Sequence, residues 1–432
     1  MTNMNAKSSF QILKIYLHIV AKIWMVKRTM PKREFSKKFG ITPKFAFANI
    51  MLISNAFIWY SLAFSILKKL VTETFLAAWG VHFVGATFSA IGGATVSNKT
   101  HERIPFFISW MMLGIISSLI LTLVNPTNAL DVLVISFLFG VSFGLGLPAS
   151  MDFFATSTNI ENRAKLAGLI LFVNGLGVFL LLIIAADNVI IQALVLSVWR
   201  GLGLIFFLMS KPSQGIVKKP ESISFMPILT QRSFILYFIP WSMFSLVNFL
   251  SLPLQCNILG SDIVNLLNSI EGALVGVFAV IGGFLSDIIG RKRITIFGFV
   301  MLGFGYAILG IYPQNLLSWY FYTLVDGIAW GIFSVIFIFT IWGDLSQDLS
   351  SDKCYAVGGL PFFLSNLLRL TIGSYIGEII PAYAIFSFTA FFLFLAVVPL
   401  MFAPETLPEK KLRERELRQY IEKAKKIKEK YV

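Results

Sequence analysis

The chain has 432 residues, of which 56% are hydrophobic and only 13% are charged, and its mean hydropathy is +0.78. Soluble domains carry about 25% charged residues, so this composition excludes a soluble enzyme or a soluble nucleic-acid-binding module as the main fold. The apolar residues form continuous blocks of roughly 20, the length that an α-helix needs to cross about 30 Å of hydrocarbon. A β-barrel would instead show strands of about 10 residues that alternate apolar and polar. The composition therefore predicts an all-α integral membrane protein.

Twelve membrane-spanning helices are predicted along the chain, in two sets of six. Their approximate ranges are 46–67, 74–96, 104–124, 132–154, 166–186, 189–209, 234–252, 266–286, 294–312, 317–341, 355–377 and 382–403. The polar, lysine-containing stretch 210–232 separates the sixth helix from the seventh and resembles a linker. The expected organisation is an N-terminal segment 1–45, an N-terminal half 46–209, a cytoplasmic linker 210–232, a C-terminal half 233–403 and a charged cytoplasmic tail 404–432.

The position of the positive charges predicts the orientation. The formal net charge is +14, and the chain contains 36 Lys and Arg residues. With twelve spans and a cytoplasmic N-terminus, only Lys68 and Lys69 fall outside, while Arg200 and Arg369 fall within spans and all the others face the cytoplasm. Such an excess of Lys and Arg is typical of cytoplasmic loops. We therefore expect a multi-pass protein of the cell membrane (inner or plasma membrane) with both termini cytoplasmic, whose basic residues face anionic lipid rather than nucleic acid.

The N-terminal segment contains a further apolar stretch from Phe10 to Val26. Lys14, His18 and Lys22 recur within it at a spacing of four residues and therefore share one face of a helix. This pattern favours an amphipathic helix at the membrane interface over a thirteenth span.

The two predicted halves repeat each other. The tripeptide Ile-Gly-Gly at 91–93 recurs at 281–283, and Arg163 and Gly168 recur as Lys353 and Gly358, in each case 190 residues later. A pair of glycines four residues apart, Gly140 and Gly144, recurs as Gly327 and Gly331. Duplicated six-helix halves are expected to enclose a cavity where they meet and to rock about it.

One segment carries a specific motif on the predicted cytoplasmic side, between the eighth and ninth spans. It runs Gly283-Phe-Leu-Ser-Asp287-Ile-Ile-Gly290-Arg291-Lys292-Arg293. The segment resembles the Gly-x-x-x-Asp-(Arg/Lys)-x-Gly-(Arg/Lys)-(Arg/Lys)-(Arg/Lys) signature of the major facilitator superfamily, with Ile288 in place of the usual basic residue. With the twelve spans and the repeat, the resemblance covers about 46–403. The copy in the first half has decayed and keeps only Gly93 and Arg103.

The resemblance implies a gate between the halves. In the family, the Asp of the motif contacts the other half near the start of the fifth helix, and a basic residue of the motif pairs with an acid that ends the tenth. The corresponding residues here are Asp287, the loop at Arg163, and Asp344, and the remaining motif residues are Gly283, Gly290, Arg291, Lys292 and Arg293. A carboxylate near a helix start is favoured by the helix dipole. These contacts are expected to hold the cytoplasmic side closed; the alternative is that they only fix topology and packing.

Ionisable residues at membrane depth are costly, by about 2.5–3.5 kcal/mol on insertion scales, so each is a candidate for function or for an ion pair. Arg369 lies in the middle of the eleventh span, and Ser365 and Asn366 lie near it on the same helix. Asp326 and Glu271 fall at a comparable depth on the tenth and eighth spans. They are expected either to pair with Arg369 or to carry protons, and a purely structural ion pair is the alternative.

Other polar and aromatic residues recur at helical spacing and are candidates for the lining of the cavity. They are Asn55 and Trp59 on the first span and Trp241, Ser245 and Asn248 on the seventh. His82 is a candidate proton or substrate ligand, although a single His in a helix more often packs through hydrogen bonds. Arg200 is expected to have a structural partner or to snorkel to the membrane surface rather than to touch substrate.

The resemblance and the polar residues together predict a secondary transporter that moves a small polar solute, with an anion as one candidate, by alternating access. A span 5 without the Gly-Pro motif of the antiporter branches favours symport or uniport, with a proton as the expected coupling ion. Pro404-Glu405-Thr406 resembles the ending of sugar porters, but other sugar-porter signatures are missing. The sequence contains no nucleotide, metal or hydrolase motif, so no enzyme activity, cofactor or metal is expected. The alternatives are a transporter-like receptor or scaffold that does not transport, and a lipid flippase on the same fold.

Overall fold

The computed structural model describes residues 42–71, 76–99, 103–184, 188–210, 224–346 and 349–407. Every regular element within these ranges is helical. The expected interfacial helix at 10–26 and most of the linker and tail lie outside the described residues. Twelve long helical segments follow one another: α1 Pro43–Leu70, α2 Ala77–Lys99, α3 Arg103–Leu123, α4 Ala129–Ser157, α5 Arg163–Ile184, α6 Val189–Met209, α7 Arg232–Leu259, α8 Ser261–Ile289, α9 Arg291–Ile311, α10 Leu316–Leu345, α11 Ser351–Thr371 with its continuation Gly373–Ile379, and α12 Ala382–Phe402.

Most helices agree with the predicted spans within a few residues at each end, but α7 continues to Leu259 instead of ending at 252, and α8 begins at Ser261 instead of 266. Within the described part of the chain, nine helices are long and apolar enough to cross a membrane by length and composition alone. A short helix, Met226–Thr230, precedes α7 on the predicted cytoplasmic side. The twelve helices form two sets of six, so the predicted 6+6 fold class is confirmed.

Three of the helices that start on the predicted outer side, α4, α6 and α10, are capped by asparagines. The side-chain oxygens of Asn128, Asn188 and Asn315 each accept a hydrogen bond at 2.9–3.0 Å from the backbone N–H two residues later, at the starts of α4, α6 and α10. This cap satisfies one of the backbone donors that a helix start leaves without an intrahelical partner. These three helices therefore begin where the sequence changes from asparagine to an apolar run.

The internal repeat appears as the same helix packing in both halves. In the first half, Gly140 and Gly144 of α4 face the backbone carbonyls of His82 and Ala86 of α2, at places where a Cβ would clash. In the second half, Gly327 of α10 faces the side chain of Leu274, and Gly331 faces the backbone at Phe278 and Ala279, all on α8 and again where a Cβ would clash. Small residues let two membrane helices approach closely. The repeated glycines are therefore explained by two equivalent contacts, α2 with α4 and α8 with α10.

The two halves meet along α5 and α8 and along α2 and α11. At the first of these contacts, a Cβ on Gly168 of α5 would overlap the carbonyl of Ala279, and a Cβ on Gly283 of α8 would overlap the carbonyl of Ala164. Both glycines lie toward the predicted cytoplasmic ends of their helices. The halves are therefore in backbone contact on that side, and the charged motif that follows Gly283 is held against the other half.

Candidate functional site

Four charged residues join the halves at the predicted cytoplasmic surface, and we call this group the inner clasp: Arg163, Asp287, Arg291 and Asp344. The Asp344 carboxylate, near the end of α10, pairs through Oδ1 with Arg163 of the other half and through Oδ2 with Arg291 of α9. All four side chains are buried. Ion pairs withdrawn from water in this way are strongly coupled, because removing one partner leaves an uncompensated charge.

Asp287 makes the second connection across the clasp. Its Oδ2 accepts a hydrogen bond of 2.9 Å from the backbone N–H of Lys165 in the first turn of α5. Its Oδ1 lies 3.4 Å from Nη2 of Arg291, which also donates to the carbonyl of Ile160 at 2.5 Å. The start of α5 thus receives its carboxylate cap from the opposite half, where the helix dipole favours an anion. This geometry is the one that the motif implied.

The other motif residues shape the turn between α8 and α9. Gly290 has a φ of +113°, in the region that favours glycine, and it ends α8 immediately before Arg291 begins α9. Lys292 donates from Nζ to the carbonyl of Met401 at 2.7 Å, whereas Arg293 is exposed. Lys292 therefore fastens α9 to the end of α12.

Glu405 and Thr406 belong to the site although the sequence predicted no role for them in it. Glu405 accepts hydrogen bonds at its carboxylate from the backbone N–H groups of Arg291 (3.0 Å) and Lys292 (3.1 Å) and so caps α9. Thr406 donates to Asp344 Oδ2 at 3.0 Å. The Pro-Glu-Thr ending was the only sequence signal for these contacts, and it gave no indication of its partners.

A related contact lies in the first half, where the motif has decayed. Arg103, at the start of α3, forms an ion pair of 2.6 Å with Asp152 of α4. Ser351, at the start of α11 in the other half, donates a hydrogen bond to Asp152. Arg103, which survives from the decayed motif, therefore still pairs with an acid, Asp152, that contacts the opposite half. The partner of this acid across the interface is a serine, whereas the partner of Asp344 across the interface is an arginine.

Arg369 lies where α11 meets the first half. The guanidinium interacts electrostatically with Tyr60 and with Lys68, both on α1. Leu367 and Leu370 of the same helix pack against an apolar cluster that consists mainly of side chains of the first half. Arg369 and Tyr60 are only half-buried, so part of each residue's surface is accessible.

Asp326 and Glu271 form a separate cluster inside the second half. The Tyr322 hydroxyl donates to Asp326 Oδ2 at 2.8 Å, and the hydroxyls of Tyr306 and Tyr322 are 2.9 Å apart. Glu271 of α8 interacts electrostatically with Asp326, and its carbonyl lies 3.5 Å from where a Cβ on Gly327 would stand. The expected pairing of these acids with Arg369 is therefore wrong in this structure, because the acids face tyrosines while Arg369 faces α1.

Asn55 and Trp59 lie inside the first half, together with Arg200. Arg200 is fully buried, donates to Asn55 Oδ1 at 2.9 Å, and stacks its guanidinium 4.4 Å from the Trp110 ring centroid and 5.6 Å from that of Trp59. Snorkelling of Arg200 is therefore excluded, and its partners are structural. Asn55 and Trp59 do not line the space between the halves, because they face α3 and α6 of their own half.

The candidate residues of the seventh and eleventh helices also turn into the protein. Trp241 is buried and donates from Nε1 to the carbonyl of Gly358 at 2.9 Å, and Ser245 is buried. Ser365 and Asn366 both donate to the carbonyl of Phe362 in their own helix, at 3.0 and 2.9 Å. The side chain of Asn248 lies outside the described residues. Helical spacing correctly showed which side chains lie on the same side of a helix. It did not show which side of the helix is turned toward the other half.

His82 is completely buried and forms two hydrogen bonds of 2.9 Å, one to the Tyr60 hydroxyl and one to the carbonyl of Ser136. It thus lies directly behind the tyrosine that Arg369 faces. Tyr60 was not among the residues selected from the sequence, since a tyrosine in a chain with 43 Phe and 12 Tyr carries little signal. Within the described ranges, no group of three His, Cys, Asp or Glu side chains is arranged to hold a metal ion.

Comparison with known proteins agrees with this architecture. Residues 221–430 match the family model of the Major Facilitator Superfamily. The fold is similar to that of the proton:xylose symporter XylE (17% identity, 84% of this chain and 96% of that chain, TM-score 0.64), the human organic anion transporter MFSD10 (14%, 83% and 100%, TM-score 0.62) and the E. coli fucose:proton symporter FucP (11%, 83% and 98%, TM-score 0.65). No curated protein matches the sequence.

Proposed function

We propose that this chain, a member of the major facilitator superfamily, is a secondary active transporter that moves a small anionic solute by alternating access and couples its movement to protons in symport. The inner clasp is the observation that carries this proposal. A buried set of ion pairs joins the two halves at the predicted cytoplasmic surface, and such a set holds that side closed while leaving the halves separable. Uniport of the same solute is the second candidate for the transport mode.

The solute site is proposed at Arg369. A guanidinium offers a planar set of N–H donors that suits two carboxylate or phosphate oxygens. Arg369 belongs to the second half and Tyr60 to the first, so a solute bound between them contacts both halves. A ligand in this position senses their relative movement, as alternating access requires.

The proton site is proposed at Asp326 and Glu271. The second carboxylate oxygen of Asp326 is buried and has no hydrogen-bond partner among the described residues. Two carboxyl groups that are close together at membrane depth are most stable when they share one proton, because two negative charges would repel and lose hydration. Tyr322 and Tyr306 provide a hydroxyl chain to this proton.

The test begins with a thermal-shift screen of carboxylates, sugars and amino acids at several pH values. The solute that stabilises the protein most is then offered to proteoliposomes with and without an imposed pH gradient. We expect a carboxylate to be taken up, with faster uptake when the compartment outside is acidic, and we expect Arg369→Lys to weaken binding. Asp326→Asn should abolish acceleration by the pH gradient and retain exchange of solute between the two sides.

The rival functions give different results in the same preparation. A receptor or scaffold would bind the solute without uptake or exchange. A flippase would move a fluorescent phospholipid between leaflets and leave water-soluble carboxylates outside. We further propose location in the cell membrane with both termini cytoplasmic, in accordance with the distribution of Lys and Arg.

A further inference from the structure

A continuous series of phenylalanine rings crosses from one half of the protein to the other. The centroid of the Phe339 ring, on α10, lies 5.6 Å from that of Phe154 on α4, edge to face, and 6.2 Å from that of Phe57 on α1, where the rings stack. Phe57 contacts Phe143 of α4 at 5.7 Å, and Phe143 contacts Phe363 of α11 at 6.3 Å, both edge to face. We call these five rings the aromatic seam. Every contact in it except that of Phe57 with Phe143 joins the two halves.

The rings of the aromatic seam are withdrawn from solvent. Phe154 and Phe339 are completely buried, Phe143 and Phe363 are nearly so, and Phe57 is half-buried. Apolar side chains of the two halves therefore pack against each other along the seam instead of facing water. Hydrophobic constrictions of this kind stop ions in channels because they exclude the water that the ions need.

The aromatic seam begins just above the inner clasp. Phe339 precedes Asp344 by five residues on α10, which corresponds to roughly 7 Å along a helix. Because α10 ends at the predicted cytoplasmic surface, Phe339 lies on the membrane side of the clasp. Phe143 and Phe363 lie near the middle of their helices, so the seam continues from the clasp toward the centre of the membrane.

The backbone that carries the Phe339 ring is held by a specific hydrogen bond. Phe339 belongs to a π-helical segment of α10, Ser334–Thr340, and such segments are rare and frequently occur at functional sites. The hydroxyl of Tyr355, on α11, donates to the carbonyl of Phe339 at 2.5 Å. This bond ties the segment to α11, so the ring keeps its position between Phe57 and Phe154.

We propose that the aromatic seam is the barrier to water, ions and protons on the cytoplasmic side, whereas the inner clasp determines whether the halves are together on that side. The clasp alone does not provide such a barrier, because ionised groups retain water even when partly withdrawn from it. This inference rests on the proposed function, because proton-coupled transport loses its driving force if protons also cross without solute. When the halves separate on the inner side, Phe339 leaves Phe57 and Phe154 and the path opens.

The test measures proton entry into proteoliposomes in the absence of any solute. The full-length protein is reconstituted with a pH-sensitive dye inside the vesicles, and a potassium gradient with valinomycin provides an inward driving force for protons. We expect the native protein to admit protons about as slowly as vesicles without protein. Phe339→Ala removes the ring that contacts both Phe57 and Phe154, and it should admit protons severalfold faster than the native protein.

Phe57→Ala keeps the test independent of a single substitution. It removes the other ring of the stacked pair and should also accelerate proton entry severalfold. Phe57 is only half-buried, so its truncation removes less packing than that of Phe339 and decides the question if Phe339→Ala does not fold. Phe339→Leu keeps an apolar side chain between the halves and should admit protons more slowly than Phe339→Ala. Melting temperatures report whether each variant is folded.

Two controls separate the seam from other effects. Phe388→Ala is the same truncation at a side chain that is exposed on α12, and it should not change proton entry. Asp344→Asn weakens the inner clasp but keeps every ring of the seam. We expect no leak from it, because in alternating access the outer side closes when the inner side opens.

The outcomes distinguish this inference from the function on which it rests. Folded ring variants that admit protons no faster than Phe388→Ala would overturn the barrier, even if the native protein takes up solute with protons. A leak in Asp344→Asn as large as that in Phe339→Ala would also overturn it, because the barrier would then be the clasp. A leak confined to the ring variants, in a protein that takes up no solute, would support the barrier and overturn the proposed transport.

Discussion

Asp344, near the end of α10, pairs with Arg163, the first residue of α5 in the opposite half of the molecule. The same carboxylate pairs with Arg291 and accepts a hydrogen bond of 3.0 Å from Thr406. One acid therefore holds two arginines from different halves and the segment that follows the last helix. If the halves separate on this side, Asp344 must lose at least one of these partners.

Replacement of Asp344 by Asn should open the predicted cytoplasmic side. The change leaves the buried Arg163 without its carboxylate and Arg291 with Asp287 alone, and breaking a buried ion pair costs about 3–5 kcal/mol. The thiol of Cys354 is a natural reporter, since it is free, completely buried and close enough to Asp152 of the other half to interact with it. In a Cys256→Ser background, we expect N-ethylmaleimide to alkylate Cys354 at least about tenfold faster in Asp344→Asn.

The matched control for this variant is Asp131→Asn. Asp131 is a partly exposed acid at the start of α4, on the predicted outer side, where it accepts a hydrogen bond of 3.0 Å from the backbone of Asn125. Its substitution should leave the reactivity of Cys354 unchanged. Equal alkylation rates in Asp344→Asn and Asp131→Asn would show that the inner clasp does not control closure.

Asp287→Asn should have a smaller effect in the same direction. The amide oxygen can still accept the hydrogen bond from Lys165 N, but the negative charge at the start of α5 and beside Arg291 is lost. Interaction of a carboxylate with a helix start contributes about 0.3–1 kcal/mol at exposed sites and up to about 2 kcal/mol in partly buried geometry. We expect Cys354 alkylation to be faster than in the native protein and slower than in Asp344→Asn. If Asp287→Asn changes neither this rate nor transport, Asp287 is a residue of topology and packing only.

Gly283→Ala should weaken closure without altering any charge. A Cβ at this position overlaps the backbone carbonyl of Ala164, which cannot move aside as a flexible side chain would, so α5 and α8 must separate. Overpacking of this kind costs about 1–3 kcal/mol. Gly272→Ala on the same helix is the control, because nothing lies within 4 Å of its Cβ position.

The two glycine variants should move the melting temperature in different directions. Alanine favours a helix over glycine by about 1 kcal/mol, so Gly272→Ala should be neutral or stabilising. Gly283→Ala should melt at a lower temperature and expose Cys354. A Gly283→Ala protein as stable and as unreactive as Gly272→Ala would contradict the close contact of α5 with α8.

A double-mutant cycle separates Arg369 from Asp326. Because Arg369 interacts with Tyr60 while Asp326 receives its hydrogen bond from Tyr322, the stability changes of Arg369→Ala and Asp326→Asn should add within about 0.3–0.5 kcal/mol. The cycle of Arg369→Ala with Tyr60→Phe should instead show coupling. Thermal unfolding of the single and double variants measures the additivity in the first cycle and the coupling in the second. Restoration of stability when Asp326→Asn is added to Arg369→Ala would mean that the arginine neutralises this acid after all.

Cysteine labelling in sealed cells tests the topology. Asn315, before α10, and Asn159, between α4 and α5, are both exposed. In a background without the two natural cysteines, a membrane-impermeant maleimide should label Asn315→Cys from outside. It should reach Asn159→Cys only after the membrane is opened. Labelling of both positions in sealed cells would refute the predicted orientation.

The all-helical fold, the two sets of six helices and the motif at 283–293 followed from the sequence alone. Hydrophobic blocks of membrane-spanning length are a local property, because the bilayer requires each span to satisfy its own backbone hydrogen bonds. The repeat of Gly140 and Gly144 as Gly327 and Gly331 was also visible as spacing, and both pairs lie at equivalent helix contacts. The motif residues could be identified because the family keeps them adjacent in the chain.

The partners of the intramembrane residues were decided only by the tertiary structure. Helical periodicity shows which side chains share a face, as for Asn55 and Trp59, but it does not show which neighbouring helix that face meets. The similar depth of Arg369, Asp326 and Glu271 in the membrane suggested a single cluster. Depth does not say in which direction a side chain leaves its helix, however, and in the structure Arg369 interacts with Tyr60 whereas the acids interact with Tyr322. The cap that Glu405 places on α9 joins residues more than 110 positions apart. Contacts of this kind depend on how the helices pack in three dimensions, and no local pattern in the chain specifies them.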